Sequence, residues 1–170
     1  MTYKLIGVVL VLAGCGGVGF SMASYHKKQE KVLRQLVGLL DYMECELQYR
    51  LTPLPILCRQ TAAEATGSLR KLFLVLTQCL EDQLEPHVEG SMHIALQSVG
   101  EIPTYTQKAL ESLGRSLGRF DMDGQLKGLE SVRQDCRRYL SELTNNRDSR
   151  LRSYQTLGLC AGAALAILLI

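Results

Sequence analysis

A long uncharged run of apolar residues lies near the start of the chain, from Leu5 to Ala23, with Lys4 before it. A helix rises about 1.5 Å per residue, so about 20 apolar residues cross the hydrocarbon core of a bilayer. We therefore predict a transmembrane helix in residues 1–24. On this prediction, the segment that follows residue 24 begins at a membrane surface.

A dinucleotide-binding loop is a weaker interpretation of the same residues. Residues 14–19 read Gly-Cys-Gly-Gly-Val-Gly and fit the pattern Gly-x-Gly-x-x-Gly, with Asp41 as a candidate ribose ligand. Such a loop needs a strand, a tight turn and a helix within a parallel sheet. Residues 53–150 contain no run of β-branched residues that could supply the other strands. The pattern alone does not support a nucleotide site.

A lipoprotein signal is a second alternative. The segment Leu12-Ala13-Gly14-Cys15 resembles the site at which a lipoprotein is cleaved and its cysteine is lipidated. The apolar run continues through Met22, whereas a mature lipoprotein normally becomes polar at this point. The same length disfavours an ordinary cleaved secretory signal. This alternative makes the protein a lipid-anchored or exported helical binding module.

The charges beside the apolar ends predict the orientation in the membrane, because Lys and Arg concentrate on the cytoplasmic side of membrane helices. A second uncharged run extends from Leu157 to Ile170. Both runs have their cations on the side of the central segment: Lys27, Lys28, Lys31 and Arg34 after the first, and Arg147, Arg150 and Arg152 before the second. We therefore expect residues 25–152 to be cytoplasmic and residues 153–170 to form a second transmembrane helix. Since this run is short for a span, a buried core helix is the alternative.

Small residues recur at intervals of four in both apolar ends. This spacing lets two helices approach closely within lipid. We expect these faces to pack on each other or on partner subunits, although Gly and Ala are also common in membrane segments without such a role. The positions are Ala13, Gly17 and Ser21 in the first end and Gly158, Gly162 and Ala166 in the second.

The composition argues against several functional classes. A net charge of +2 is too balanced for a nucleic-acid-binding protein. The six cysteines form no C-x-x-C pair, and the three histidines share no metal-ligand spacing with them. We therefore expect no disulfide framework and no metal site, with the cysteines as small buried residues. No Walker sequence and no nucleophile beside a base is present, so we expect no cofactor and no catalytic activity.

The central segment has apolar residues at spacings of three and four and no strand pattern, which predicts six helices in an all-α antiparallel bundle. The first helix should end before Thr52 and Pro53, with Thr52 as the N-cap of a second helix that stops at Gly67. Further boundaries are expected at Ser68, Pro86, Gly100, Pro103, Gly118 and either Asp121 or Asp123. The expected core positions are Leu33, Leu36, Leu40, Met43, Leu47, Leu69, Leu72, Phe73, Leu76, Leu80, Val88, Met92, Ala95, Leu96, Val99, Ala109, Leu110, Leu113, Leu117, Leu126, Leu129, Val132, Cys136, either Tyr139 or Leu140, and Leu143.

Two stretches of the central segment carry a distributed motif. Residues 43–54 contain Glu-x-Glu, an aromatic residue three positions later and Thr-Pro-Leu, and residues 113–121 contain a double Leu-Gly before Asp. These features, with the chain length and the apolar ends, resemble the stage III sporulation protein AB family. The residues that carry the motif are Glu44, Glu46, Tyr49, Thr52, Pro53, Leu113, Gly114, Leu117, Gly118, Asp121 and Gln125.

The resemblance implies a structural role without catalysis. Proteins of this family belong to the mother-cell side of the channel that links mother cell and forespore. Their soluble domain is similar to the cytoplasmic domain of type II secretion and type IV pilus platform proteins. We therefore expect a subunit in the cell membrane, with its bundle in the mother-cell cytoplasm. The implied partners are the ATPase stage III sporulation protein AA and other channel subunits, and homo-oligomers are compatible with this role.

Several motif residues suit corners of the bundle as well as partner contacts. Thr52, Pro53, Gly118 and Asp121 are typical of caps and turns, so one interpretation is that they fix the helix 1–2 and helix 5–6 corners. The glycines beside Leu113 and Leu117 would let another helix approach closely, because glycine has no side chain.

The acidic pair of the motif has less structural explanation. Glu44 and Glu46 project about 200° apart on a helix, so only one can face the bundle. If Glu46 lies between helices and bonds the cap of helix 6, Glu44 is left for a partner. Tyr49 lies on the same helix face as Glu46 and could pack inward while its hydroxyl reaches a partner.

Overall fold

The computed structural model describes the backbone of residues 27–118 and 121–169, and the side chains of residues 27–118 and 121–145. Throughout this part of the chain the only regular structure is helical, and no strand occurs. The helices are α1 (27–50), α2 (Leu54–Glu64), α3 (Gly67–Glu81), α4 (Val88–Ser98), α5 (Thr104–Ser116) and α6 (Met122–Leu169). The described residues confirm the predicted all-α fold with six helices.

Residue pairs between the helices show that neighbours in sequence run antiparallel. As residue numbers rise along one helix, those of the contacting residues on the next helix fall. Between α1 and α2, for example, Gln35 pairs with Thr66 and Tyr42 with Gln60. The last helix returns to the first in the same manner. Further pairs are Arg59 with Glu81 for α2 and α3, Met92 with Gly114 for α4 and α5, Tyr105 with Tyr139 for α5 and α6, and Asp41 with Arg137 for α1 and α6.

This antiparallel order places the connections at two ends of the bundle. One end carries the α1–α2, α3–α4 and α5–α6 connections, residues 51–53, 82–87 and 117–121, and is called the three-turn end below. The other end carries the α2–α3 and α4–α5 connections. All packing described here lies within one compact unit, Lys31–Leu140.

The apolar stripes predicted from the sequence form the core of the Lys31–Leu140 unit. The stripe of α1 is fully buried at Leu33, Leu36, Leu40 and Met43, and Phe73 of α3 is the largest fully buried side chain. The prediction of full burial is wrong at the expected core positions that are only half-buried. These are Leu80, Val88, Leu96, Ala109, Leu126, Leu143 and both alternatives Tyr139 and Leu140.

Two buried threonines occupy core positions that the apolar pattern did not predict. Thr61 and Thr77 each donate a hydroxyl hydrogen bond to a carbonyl one turn earlier, at 2.8 Å to Leu57 and 2.7 Å to Phe73. A hydroxyl that is satisfied within its own helix can be buried at little cost. At these two positions a polar residue is therefore buried, although its type is more common on exposed helix faces.

One of the three predicted N-caps is confirmed and two are wrong. Asp121 caps α6, since its carboxylate accepts a hydrogen bond of 3.0 Å from the Gly124 N–H. Thr52 is not the cap of α2, whose cap position is Pro53. Ser68 is not the cap of α3, because that helix already begins at Gly67. Gly67 has the left-handed φ expected of it, +60°, but it opens α3 instead of closing α2.

The predicted membrane segments lie largely outside the described residues. Residues 1–24, with Ala13, Gly17 and Ser21, are outside them altogether, and of Gly158, Gly162 and Ala166 only the backbone is described. The backbone of α6 is one helix from Met122 to Leu169 and passes without a break through the expected boundary at 152. Within the described part of the chain, no helix combines the length and apolar character that a membrane span requires. The two spans stay predictions.

The cysteines of the bundle separate into buried and exposed thiols. Cys58, Cys79 and Cys136 are buried, as expected, whereas Cys45 is exposed. Cys45 follows Met43 by two positions, so it points away from the buried stripe of α1. Burial raises the pKa of Cys58 to about 12 and that of Cys136 to about 11.

We expect iodoacetamide at pH 8 to alkylate Cys45 at least about tenfold faster than Cys58 or Cys136 in the folded protein. The thiolate is the nucleophile, and burial both blocks access and keeps the other two thiols protonated at this pH. Mass spectrometry of the alkylated peptides measures each site separately. In guanidinium the rates should converge, and rapid labelling of Cys58 in the native protein would contradict the described core.

Candidate functional site

The two motif stretches, far apart in sequence, meet at the three-turn end. A Cβ atom added to Gly118 in the α5–α6 turn would lie 2.6 Å from Val88 Cγ2 and 3.6 Å from Leu54 Cδ2. The turn therefore rests on the first residues of both α4 and α2. Leu113 and Leu117 are buried beneath it.

Glu46 stabilises the α1–α2 corner through contacts with residues of the same corner. Its side chain is almost completely buried, with a relative exposure of 7% for the residue. Thr52 donates a hydroxyl hydrogen bond of 3.2 Å to one carboxylate oxygen, and Arg50 pairs with the other at 3.2 Å. The expectation that Glu46 bonds the cap of helix 6 is therefore wrong. Because its partners lie on α1 and in the α1–α2 connection, the glutamate fixes the chain direction at this corner.

The corner exposes two large side chains to solvent. Tyr49 is 75% exposed, so it does not pack inward as the sequence allowed. Leu51 is 66% exposed and has a φ of +53°, in the left-handed region that residues with a Cβ rarely occupy. The left-handed residue ends α1 and turns the chain towards Pro53. A leucine here bears both a backbone cost and a solvation cost.

Glycines set the close approach of helices in the second motif stretch. A Cβ on Gly114 would lie 2.8 Å from Met92 Cβ, so α4 and α5 touch where only glycine fits. Gly118 has a φ of +72° and ends α5, as the sequence predicted. Asp121 then starts α6, and the Gln125 N–H donates to the Asp121 carbonyl at 3.0 Å. These residues have a structural role at the α5–α6 corner.

Glu44 is not left for a partner, because it belongs to an ion cluster between α1 and α6. Arg133 of α6 donates hydrogen bonds to Glu44 and, at 3.0 Å, to Asp41. Arg137, one turn further along α6, pairs with Asp41 at 2.9 Å. The Arg133 side chain is only 19% exposed, which reduces the screening of its ion pairs by water. The cluster thus ties the first helix of the bundle to the last.

The sequence analysis missed this cluster, although a signal for it was present. Asp41 and Glu44 are three residues apart on α1, and Arg133 and Arg137 are four apart on α6, so each pair lies on one helix face. What the sequence did not give is that α1 and α6 are neighbours. The interpretation of Asp41 as a ribose ligand is wrong, since its carboxylate is bound by the two arginines.

The three-turn end exposes apolar and charged side chains. Among the residues that the structure describes, no group of three or more His, Cys, Asp or Glu side chains could hold a metal ion. The exposed apolar side chains at this end include those of Tyr49, Leu51 and Leu84, with charged residues beside them. Tyr49 and Leu51 are carried by a corner that Glu46 and Gly118 hold in place.

We expect Gly118→Ala to lower the free energy of unfolding by about 1–3 kcal/mol, since it adds a Cβ at a left-handed residue and against Val88. Gly38→Ala is the matched control: Gly38 is exposed within α1, and a Cβ there would meet nothing within 4 Å. That variant should stabilise by about 0.5–1 kcal/mol through helix propensity. Urea denaturation measures both, and equal effects at the two glycines would contradict the described corner.

We expect Arg133→Met to destabilise the bundle by about 1–3 kcal/mol, because it leaves Glu44 and Asp41 together without their shared cation. Arg138→Met, on the same helix, is the control. Its side chain is 73% exposed, so its loss, including that of its surface pair with Asp135, should cost less than about 0.5 kcal/mol. If the two variants unfold at the same denaturant concentration, the cluster does not tie α1 to α6.

The family model described as stage III sporulation protein AB matches residues 4–170. The stage III sporulation protein AB of Bacillus subtilis (strain 168) is 25% identical over 172 residues, which cover 98% of each chain. A solved structure of a stage III sporulation protein AB has a similar fold, with a TM-score of 0.61 and 20% identity over 72% of this chain and 98% of that chain. Since the family model spans almost the whole sequence, the chain belongs to the stage III sporulation protein AB family.

Proposed function

We propose that this chain is a structural adaptor subunit of a sporulation complex, which joins a cytoplasmic ATPase to the membrane part of that complex. Membership of the stage III sporulation protein AB family supports the sporulation role. The observation that carries the adaptor role is the three-turn end. Both motif stretches meet there, and Tyr49 and Leu51 are exposed on a corner that is otherwise closely packed.

The corner has the properties that a binding site for a macromolecular partner needs. Exposed aromatic and leucine side chains bury large apolar areas when a partner covers them. The Thr52–Glu46 hydrogen bond and the Gly118 contacts hold the backbone before any partner arrives. A preorganised surface loses little conformational freedom upon binding. In this proposal the partner is the ATPase stage III sporulation protein AA.

The helices that carry this end also suit an adaptor. The corner ends α1, and the α5–α6 turn begins α6, which is one helix of 48 residues. The ion cluster of Asp41, Glu44, Arg133 and Arg137 joins α1 to α6 along their sides. A load applied at the three-turn end would therefore act on two connected helices. The proposal places the bundle, residues 25–152, in the mother-cell cytoplasm, with transmembrane helices in residues 1–24 and 153–170.

The test is binding of the purified ATPase to the full chain in detergent micelles, measured by biolayer interferometry. We expect saturable binding that Tyr49→Ala weakens about tenfold, since truncating a central aromatic contact commonly costs more than 1 kcal/mol. Leu74→Ala is the control, because Leu74 is also exposed but lies within α3. It should bind within about twofold of the unaltered chain.

A chain that binds no ATPase would refute the proposed coupling. The orientation of the bundle is checked in intact cells with a variant that lacks the six native cysteines and carries a single cysteine at residue 60. Protection of that cysteine from an impermeant thiol reagent is expected of a cytoplasmic bundle. Labelling from outside the cell would instead place the bundle on the other side of the membrane.

A further inference from the structure

The exposed apolar side chains of the bundle are concentrated at one end. Among the side chains that the structure describes, five large apolar ones are exposed. Four belong to the three-turn end and the first turn of α2, and the fifth, Leu74, lies within α3. The four are Tyr49, Leu51, Ile56 and Leu84. Single exposed leucines are ordinary, whereas large apolar groups gathered at one end indicate a contact surface.

Leu84 is held outward by the backbone of the α3–α4 connection. It is 58% exposed and follows Gln83, whose φ of +51° reverses the chain after α3. The Leu84 N–H donates a hydrogen bond of 3.1 Å to the Cys79 carbonyl, which anchors the connection to the last turn of that helix. The leucine is thus exposed at the start of a short, hydrogen-bonded turn.

The charges around Leu84 are acidic. Residues 81–89 contain four acidic residues and no Lys or Arg. Of these, Glu81 is paired with Arg59 of α2, while Asp82 and Glu85 are exposed within the turn. Asp121 and Asp123 are exposed at the start of α6, at the same end, so the acids there outnumber Arg50 and Arg115, its exposed cations among the described residues. A leucine within an acidic turn matches a partner whose basic residues surround an apolar recess.

The opposite end of the bundle has the reverse charge and no such apolar residue. Its exposed cations Lys31, Arg34, Arg70 and Lys71 outnumber its exposed acids Glu64 and Glu101. None of the five exposed large apolar side chains of the described bundle lies in the two connections at this end. The apolar side chains and the acidic charge thus coincide at one end, and phosphate-rich partners such as nucleic acids or anionic lipids would be repelled there.

We propose that the α3–α4 connection, together with the α1–α2 corner, is a docking surface for a protein that presents basic residues around an apolar recess. The inference rests on the proposed adaptor function and adds the surface and the chemistry of the contact. Leu84 and Leu51 enter the recess, and Asp82 and Glu85 face its basic rim. A second copy of this chain, docked by its basic end, would make a head-to-tail contact, which forms a ring or an open filament.

The test is photo-crosslinking of the full chain in sporulating cells in which it replaces the resident copy. A photoreactive phenylalanine analogue replaces Leu84 in one variant and Leu74 in a control variant. We expect a covalent adduct at position 84 with a yield about tenfold above that at position 74. Mass spectrometry maps the crosslinked partner peptide, which should contain more Lys and Arg than Asp and Glu.

Charge reversal tests the acidic part of the surface without disturbing the fold. Asp82→Lys places a cation beside the C-terminus of α3, where the helix dipole favours it. Glu64→Lys makes the same change at the last residue of α2, at the opposite end of the bundle. We expect Asp82→Lys to lower the yield of the adduct at position 84 about fivefold and Glu64→Lys to leave it within about twofold.

The outcomes separate this inference from the proposed function. An adduct with a basic surface of a protein other than the ATPase would support the docking surface and refute the coupling. An adduct with the ATPase at position 74 and none at position 84 would support the coupling and refute the surface. No adduct at position 84, an adduct with a second copy of this chain, or a yield that Asp82→Lys leaves unchanged would each overturn the inference.

Discussion

The close approach of three chain segments at Gly118 is the constraint on which the three-turn end depends. The α5–α6 turn can rest on the starts of α2 and α4 only because residue 118 has no side chain, and its left-handed φ sends the chain into α6. Once this contact is made, the ends of α1, α3 and α5 lie together. The surface groups of three connections then belong to one end of the bundle, although residues 51 and 118 are far apart in sequence.

The buried polar residues of the bundle determine how its helices are arranged more than they raise its free energy of unfolding. Glu46 is buried, but each of its oxygens has a partner within the same corner. Arg133 similarly satisfies two carboxylates from another helix. An apolar replacement of such groups often keeps a protein stable, whereas removal of one member leaves an unsatisfied charge. Their arrangement is therefore suited to fixing which helices are neighbours and at what register.

The sequence predicted the helices and most of the core, because both follow from local periodicity. Leu33, Leu36, Leu40 and Met43 repeat at intervals that put them on one face, whatever the tertiary fold. Prediction failed where the outcome depends on a tertiary neighbour. Thr52 is a residue type that commonly caps helices, but its hydroxyl is hydrogen-bonded to Glu46 instead of to the backbone of α2. Glu44 looked available for a partner because nothing in the sequence pairs α1 with α6.

The pairing of α1 with α6 also affects how the domain can form during synthesis. The ion pairs between them join residues 89, 92 and 96 positions apart, whereas α2, α3 and α4 each contact the next helix in sequence. Local contacts form early as a chain emerges, and contacts of large sequence separation must wait. A nascent chain can therefore stack its first five helices in order. Asp41 and Glu44 obtain their arginines only when most of the domain has left the ribosome.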